Sequence, residues 1–224
     1  IGGDTNNDDC AMRPLLGDWG HILFADSSND ATTLLDGVNV GYGGDGMIAM
    51  QSSAPHVAHS FLHSAYGFAM HIYNQANPVI EYNTITGNSG GAAKVWDNSF
   101  PIFRQNQIYH NSGFDFDVSA DSKIILDHNS FGDNGVNAIK VTGTLSSYMT
   151  WDVNDPPLPY APGNVTIAPG AKLTLPAGTV LKFLEGATWT LNGIGNHSST
   201  TVAQMVAISV IRWCDKEVCQ PSNS

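Results

Sequence analysis

The feature that most constrains the fold is an internal repeat with a step of 23 residues between residues 55 and 141. Prolines, glycines, asparagines and apolar residues all recur at this step. The asparagine sets are Asn83, Asn106, Asn129 and Asn88, Asn111, Asn134. The apolar sets are Val57, Ile80, Phe103, Leu126; Leu62, Ile85, Ile108, Phe131; and Ile72, Val95, Val118, Val141. Because these sets share one register, each repeat is predicted to be one structural unit stacked on the next.

Within each repeat, short stretches alternate between apolar and polar residues, as in residues 80–85, and are bounded by Asn, Gly or Pro. Alternation with period two is typical of a strand with one buried face. Three apolar sets per repeat indicate a coil with three faces, and successive coils would lie about 4.8 Å apart. The predicted fold is therefore an all-β parallel β-helix with about 23 residues per coil. The asparagines are expected to form amide ladders that satisfy buried polar groups at the bends.

The repeat also suggests how the rest of the chain is organised. Residues 1–46 are expected to form opening coils with an acidic loop, and residues 47–143 the asparagine-ladder coils. Residues 164–193 have a step of eight, and three such steps make about one coil, so the β-helix is expected to span residues 1–193. Residues 152–163, with four prolines, predict a linker or corner. The tail, residues 194–224, is expected to cap one end, and an uncapped end would favour end-to-end pairing with a second copy.

Composition excludes several classes of protein. Nine Lys and Arg against 20 Asp and Glu give a formal charge of −11, which disfavours nucleic acid as a partner. The sequence has no run of about 18 apolar residues, so no membrane-spanning helix is predicted. Hydrophobic residues make up 42% of the chain, enough for a real core rather than wholesale disorder. Cys214 and Cys219 suit either a small terminal disulfide loop or free thiols, and no signal peptide is visible at Ile1.

The asparagine repeats resemble the right-handed parallel β-helix proteins of the pectate-lyase-like superfamily. The resemblance is carried by the rows Ile80, Asn83, Ile85, Asn88 and Phe103, Asn106, Ile108, Asn111. A bacterial extracellular subset is similar in three further blocks, which here are residues 173–183 (LTLPAGTVLKF), 2–9 (GGDTNNDD) and 17–24 (GDWGHILF). The block that opens those proteins comes last here, as in a section of a longer repetitive protein or a permutation. The resemblance implies a right-handed coil and a secreted or cell-surface location, and it leaves open lyases, glycoside hydrolases, esterases and adhesins.

An acidic stretch near the start of the chain predicts a calcium site. Asp4, Asn6 and Asp8 alternate like the first ligands of a calcium loop, and Asp18 could complete the set. The glycine and the final glutamate of an EF-hand are missing, so a looser Ca²⁺ site is expected. The alternative is a solvated acidic turn.

Two outward rows at the 23-residue step are the candidate active site. In the first, Arg104 should lie between Glu81 and Asp127, as an ion ladder or, by the resemblance, as a lyase base beside acidic groups. The second row is Asp36, His59, Tyr82, Gln105 and His128, with His56, His63 and His71 nearby. A histidine can act as general base near neutral pH. The candidate catalytic residues are His59, Tyr82, Arg104, Asp127 and His128, and the candidate substrate-binding residues are Glu81 and Gln105.

Two functions are compatible with this pattern. The first is a secreted or cell-surface module that binds carbohydrate or a surface partner, with calcium stabilising one loop. The second is a calcium-dependent polysaccharide lyase, or an ester or lactone hydrolase, acting on the outer face. An enzyme requires its acid, base and metal ligands to converge on one groove, whereas a scaffold requires only repeating ladders. The rows repeat well and converge poorly, which favours the binding module.

Overall fold

The computed structural model describes residues 13–155, 157–192, 204–205 and 209–210. It contains strands and turns, and none of the described residues forms a helix that is long and apolar enough to cross a bilayer. All strand pairs are parallel. Each strand pairs with the equivalent strand of the next coil, so the chain forms the predicted parallel β-solenoid.

The largest sheet has ten strands and runs along the whole described solenoid. Its order is β1 (Ile22–Phe24), β4 (Ile48–Gln51), β7 (Met70–Tyr73), β10 (Ala93–Val95), β13 (Phe114–Ser119), β16 (Val136–Leu145), β18 (Tyr160–Ile167), β20 (Val180–Leu181) and β23 (Ser209–Val210), with β21 (Trp189–Leu191) also paired to β18. We call this sheet the large sheet.

Two five-stranded sheets and one three-stranded sheet form the other faces. The first five-stranded sheet contains β14 (Ile125–Asp127), β11 (Ile102–Arg104), β8 (Val79–Glu81), β5 (His56–Ala58) and β2 (Leu34–Asp36). The second contains β15 (Ser130–Gly132), β12 (Gln107–Tyr109), β9 (Thr84–Thr86), β6 (Phe61–His63) and β3 (Asn39–Gly41). The three-stranded sheet contains β17 (Tyr148–Thr150), β19 (Lys172–Leu175) and β22 (Gln204–Met205).

The strand register confirms the predicted step. Phe103 pairs with Ile80 on one side and Leu126 on the other, each 23 residues away. Between β1 and β4 the step is 26, as in the pair Phe24 and Met50, and between β2 and β5 it is 22, as in the pair Leu35 and Val57. Near the end it becomes 24, as in the pair Val165 and Trp189. Residues 152–163 were expected to be a linker or corner, but their last residues belong to β18, where burial of Tyr160 and Ala161 draws them into the large sheet.

The three predicted apolar sets line the interior. Val57, Ile80 and Phe103 are fully buried, as are Leu62, Ile85 and Ile108 on the second face and Ile72 and Val95 on the third. Phe103 and Phe116 meet edge to face across the interior, with ring centroids 5.1 Å apart. Stacked rows of large apolar side chains therefore form one continuous core along the axis.

The asparagine sets form the expected amide ladders. Asn106 Oδ1 accepts hydrogen bonds from the backbone N–H and the Nδ2 of Asn83, at 3.0 and 3.1 Å. Asn106 Nδ2 in turn donates to Asn129 Oδ1 at 2.9 Å and to the carbonyl of Ile80 at 2.9 Å. The set Asn88, Asn111 and Asn134 repeats this geometry. These buried amides satisfy one another and the bend backbone, so their role is structural.

Candidate functional site

The predicted row on the first five-stranded sheet is an ion ladder. Arg104 Nε lies 3.0 Å from Glu81 Oε2, and His56 Nε2 lies 2.8 Å from Glu81 Oε1. Asp127 is in register with Arg104, but its carboxylate contacts His128 instead. Glu81 therefore lies between the Arg104 guanidinium and the His56 imidazole, which belong to the coils on either side. Its role as a substrate-binding residue stays a prediction.

The second predicted row lies at a corner where the backbone is left-handed. His59, Tyr82, Gln105 and His128 all have positive φ, between 47° and 55°. Asp36 does not belong to this stack, because the 22-residue step places it beside Ala58 and puts Gly37 at the equivalent corner. It still reaches His59, whose Nδ1 lies 2.7 Å from Asp36 Oδ1. The His59 ring also stacks on Tyr82, with centroids 5.2 Å apart.

The predicted catalytic residues fall into separate clusters. His59 and His128 are three coils apart on this corner, about 14 Å at 4.8 Å per coil, so they cannot both contact one reacting bond. His128 instead contacts Asp127 and lies 3.8 Å from Asp155 Oδ2. The hydrogen bond that His128 Nδ1 donates to the Asp127 carboxylate raises the pKa of His128, which is exposed. The catalytic roles of His59, Tyr82, Arg104, Asp127 and His128, and substrate binding by Gln105, stay predictions.

Asp127, His128 and Asp155 offer ligand atoms that lie within 4.8 Å of one another. One imidazole with two carboxylates suits a divalent transition metal better than calcium, which prefers an all-oxygen set. Of the predicted calcium ligands, Asp4, Asn6 and Asp8 lie outside the described residues. Asp18 is exposed, and its Oδ2 accepts a hydrogen bond from the backbone N–H of Leu15 at 2.8 Å.

A polar groove of about 730 Å³ runs along the carboxyl end of the large sheet. It takes one or two side chains from each of five successive coils, after β1, β4, β7, β10 and β13. The residues that line it, here called the groove residues, are Asp26, Ser52, Asn74, Gln75, Asp97, Asn98 and Asp121. Three are carboxylates and none is cationic. Five of them have positive φ, a conformation that Asn tolerates well and that turns the side chain out of the strand: Ser52, Asn74, Gln75, Asp97 and Asn98.

Two aromatic residues directly precede groove residues along the chain. Tyr73 and Trp96, which directly precede Asn74 and Asp97, lie on adjacent coils and stack with centroids 5.1 Å apart and planes 8° apart. Both rings are partly exposed on the outer face of the large sheet. The Lys94 ammonium lies 5.4 Å from the centroid of Trp96, in a cation–π contact. The outer face thus combines an aromatic platform with polar side chains at its edge.

Next to this platform lies a carboxylate–imidazole pair. His71 Nε2 lies 3.1 Å from Asp45 Oδ1, and the His71 side chain is only 20% exposed. Burial lowers the pKa of His71, and the neighbouring Lys94 and His21 lower it further, while Asp45 raises it. The imidazole is therefore neutral near pH 7 although a carboxylate faces it.

Sequence reasoning missed the groove residues and also missed Asp45 and Lys94. Some of these residues nevertheless recur at the 23-residue step. His71 and Lys94 are one step of 23 residues apart, and Asp117 and Lys140 continue this outward row. Gln75, Asn98 and Asp121 form another row at the same step, whereas Ser52 lies opposite Asn74 because β4 and β7 pair at a step of 22 residues. These rows were overlooked because their members differ in residue type, so they do not look like repeats.

The fold and the ladders define a parallel β-solenoid with an open polar groove on its outer surface. The family profile described as right handed beta helix region matches residues 17–150. The chain therefore belongs to the right-handed β-helix family. Neither the curated proteins nor the solved structures yielded a match.

Proposed function

We propose that this protein is a secreted or cell-surface β-helix module that binds a carbohydrate in the groove at the carboxyl end of the large sheet. The observation that supports the proposal is the stack of Tyr73 on Trp96, the residues directly before Asn74 and Asp97, in a groove lined by carboxylate, amide and hydroxyl side chains. Aromatic rings pack against the C–H faces of sugars, and charged or amide oxygens hydrogen-bond to hydroxyl groups. A protein with this surface can bind a glycan without cleaving it.

The shape and charge of the groove limit the class of glycan that can bind. Five coils at 4.8 Å per step give a groove about 19 Å long, which suits a linear oligosaccharide lying parallel to the axis. The carboxylates of Asp26, Asp97 and Asp121 have no cationic neighbour among the groove residues, so a polyanionic glycan would be repelled. A neutral glycan is therefore the proposed ligand.

Replacing Trp96 with Ala is expected to weaken binding of a neutral oligosaccharide about tenfold, because the stacking surface is lost at the centre of the platform. Isothermal titration calorimetry with a panel of neutral and uronate-containing oligosaccharides measures the effect. Tyr148→Ala is the matched control, since Tyr148 is 77% exposed on the three-stranded sheet, away from the groove. Trp96→Phe should retain most of the affinity. Equal affinity of the wild type and Trp96→Ala for every glycan that binds would contradict the proposal, as would preference for the uronates.

Calcium is proposed as a stabilising ligand of the acidic stretch near the start of the chain. Asp4, Asn6, Asp8 and Asp18 supply only oxygen donors, the set that Ca²⁺ prefers. Oδ2 of Asp18 accepts a hydrogen bond from the Leu15 amide, and Oδ1 has no partner among the described residues. EDTA is expected to lower the melting temperature by several degrees and added calcium to restore it. In the double variant Asp4→Asn and Asp8→Asn this difference should vanish. An EDTA effect that persists in the double variant would place the ion elsewhere.

A further inference from the structure

The Asp45 carboxylate is held in one position by the backbone around it. Its Oδ1 accepts a hydrogen bond from the backbone N–H of Phe68 at 2.8 Å. The carboxylate also packs against Gly67, where a Cβ atom would come within 2.1 Å of Oδ1, so any other residue there would displace it. Asp45 is thus a fixed acceptor on the outer face of the large sheet.

The His71 ring is held on three sides. Nε2 faces Asp45, the ring lies against Gly46, and its edge meets Trp96 with centroids 5.1 Å apart. A Cβ atom at Gly46 would come within 2.3 Å of Cγ of His71, and Gly46 has a φ of 67°, so glycine is required there. The 3.1 Å contact with Asp45 is an ion-pair distance that is not aligned as a hydrogen bond. Nδ1 has no partner among the described residues and remains available.

Lys94 supplies a cation beside this imidazole. It is directly opposite His71 on the next coil and has no carboxylate partner within the described part of the chain. On the following coil, Asp117 lies opposite Lys94 but forms an ion pair with Lys140, whose Nζ lies 2.9 Å from Asp117 Oδ2. A base that is neutral at pH 7, a carboxylate beside it and an ammonium without a carboxylate partner in the described part of the chain therefore lie on three successive coils, beside the aromatic platform.

We propose that Asp45, His71 and Lys94 form an ester-hydrolysing site that removes O-acyl groups from the glycan bound in the groove. His71 takes a proton from water, and the water oxygen bonds to the acyl carbon. Lys94 stabilises the resulting oxyanion. The C–O bond to the sugar then breaks, and the sugar oxygen takes the proton from His71. The products are a carboxylic acid and a free hydroxyl, with no further reactant. Glycosidic cleavage is disfavoured here because it ordinarily requires a pair of carboxyl groups flanking the bond, and the proposed site contains one, Asp45.

The glycan part of this proposal rests on the proposed function, whereas the chemistry of the site does not. The test therefore uses the full chain with two substrates, 4-nitrophenyl acetate and a partially O-acetylated neutral oligosaccharide, and measures acetate release. His71→Ala is expected to lower kcat/KM about 100-fold, and Lys94→Met and Asp45→Asn about tenfold. His110→Ala is the matched control, because His110 forms an exposed pair with Asp133 at 3.4 Å.

The pH profile separates a positioning role for Asp45 from a merely structural one. Activity should rise with pH to a plateau, with a midpoint below 6.5 because burial lowers the pKa of His71. Asp45→Asn should move the midpoint lower still, since Asp45 raises that pKa. The same shift should appear in the histidine ring signals by NMR.

Three outcomes would decide the matter. Loss of acetate release in His71→Ala, with His110→Ala unchanged, supports the site. Absence of acetate release by the folded wild type overturns it, even if the deacylated oligosaccharide binds in calorimetry and so preserves the proposed function. Acetate release from 4-nitrophenyl acetate alone, with no glycan binding, overturns the assignment of the glycan substrate and the proposed function together.

Discussion

Replacing Asn106 with Ala is expected to lower the free energy of unfolding by about 3 to 5 kcal/mol, a large share of the stability of a single domain. The Asn106 side chain takes part in four hydrogen bonds, two accepted from Asn83 and two donated, to Asn129 and Ile80. Alanine would leave the buried backbone N–H of Asn83 and the carbonyl of Ile80 without these partners. Both groups lie where water cannot replace them.

Urea unfolding followed by circular dichroism measures this loss. Gln107→Ala is the matched control, because Gln107 is the next residue along the chain and is exposed. Its change should stay within about 0.5 kcal/mol. Asn106→Asp should be as damaging as Asn106→Ala, since a carboxylate cannot donate to Asn129 and Ile80. A loss below about 1 kcal/mol in Asn106→Ala would show that the ladder is not a main source of stability.

Replacing Asp115 with Ala is expected to stabilise the protein at pH 7 by about 2 kcal/mol or more, because a buried unpaired carboxyl is removed. Asp115 is fully buried, and neither carboxyl oxygen has a hydrogen-bond partner among the described residues. Burial raises the pKa of Asp115 to about 8. The neighbouring backbone of Ala138 lowers this pKa, but by less than burial raises it. Neighbouring coils have alanine at the equivalent position. These residues are Ala69 and Ala92 on the two preceding coils and Ala138 on the next, and all three are fully buried.

The raised pKa of Asp115 fixes the sign of a pH dependence. The folded protein keeps this proton up to about pH 8, whereas the unfolded chain releases it near the ordinary aspartate value of 3.8. Stability therefore falls as pH rises between these values, with a slope of up to about 1.4 kcal/mol per pH unit. Below pH 3.8 the carboxyl is protonated in both states and the contribution disappears.

Unfolding curves of the wild type, Asp115→Ala and Asp115→Asn between pH 4 and 8.5 isolate this contribution by difference. The free energy of unfolding of both variants, relative to the wild type, should increase as pH rises, because neither variant can ionise at this position. The slope of the difference is the diagnostic quantity, since all other titrating groups are shared. A difference that does not change with pH would mean that Asp115 is ionised or paired in the folded state.

The core and the ladders could be predicted from the sequence because both require like residues at equivalent positions. The side chain of Asn106 donates a hydrogen bond to the Asn of the next coil, so the ladder requires an Asn at each equivalent position. This requirement appears in the sequence as a 23-residue periodicity. The same holds for Phe103, which needs an apolar neighbour on each side. Repetition of residue type therefore reports structure here.

The candidate site could not be predicted in this way, because its residues need not repeat. His71 and Lys94 occupy equivalent positions with different chemistry, and Asp45 approaches from a turn in the preceding coil. The 22-residue step between β2 and β5 also displaced Asp36 from its predicted row. A one-residue change of step is invisible in short strands, although it changes which side chains are neighbours.

The asparagine ladders give the β-helix an electrical polarity. In both ladders the side-chain oxygens point toward the start of the chain and the amide groups toward its end. The dipoles of these amides are therefore aligned, whereas those of the β-strand backbone largely cancel. At the early end the negative pole meets the backbone N–H groups of Ser60 and Ala65. The two ends of the stack are thus unlike poles, so an anion and a cation approaching along the axis experience opposite forces.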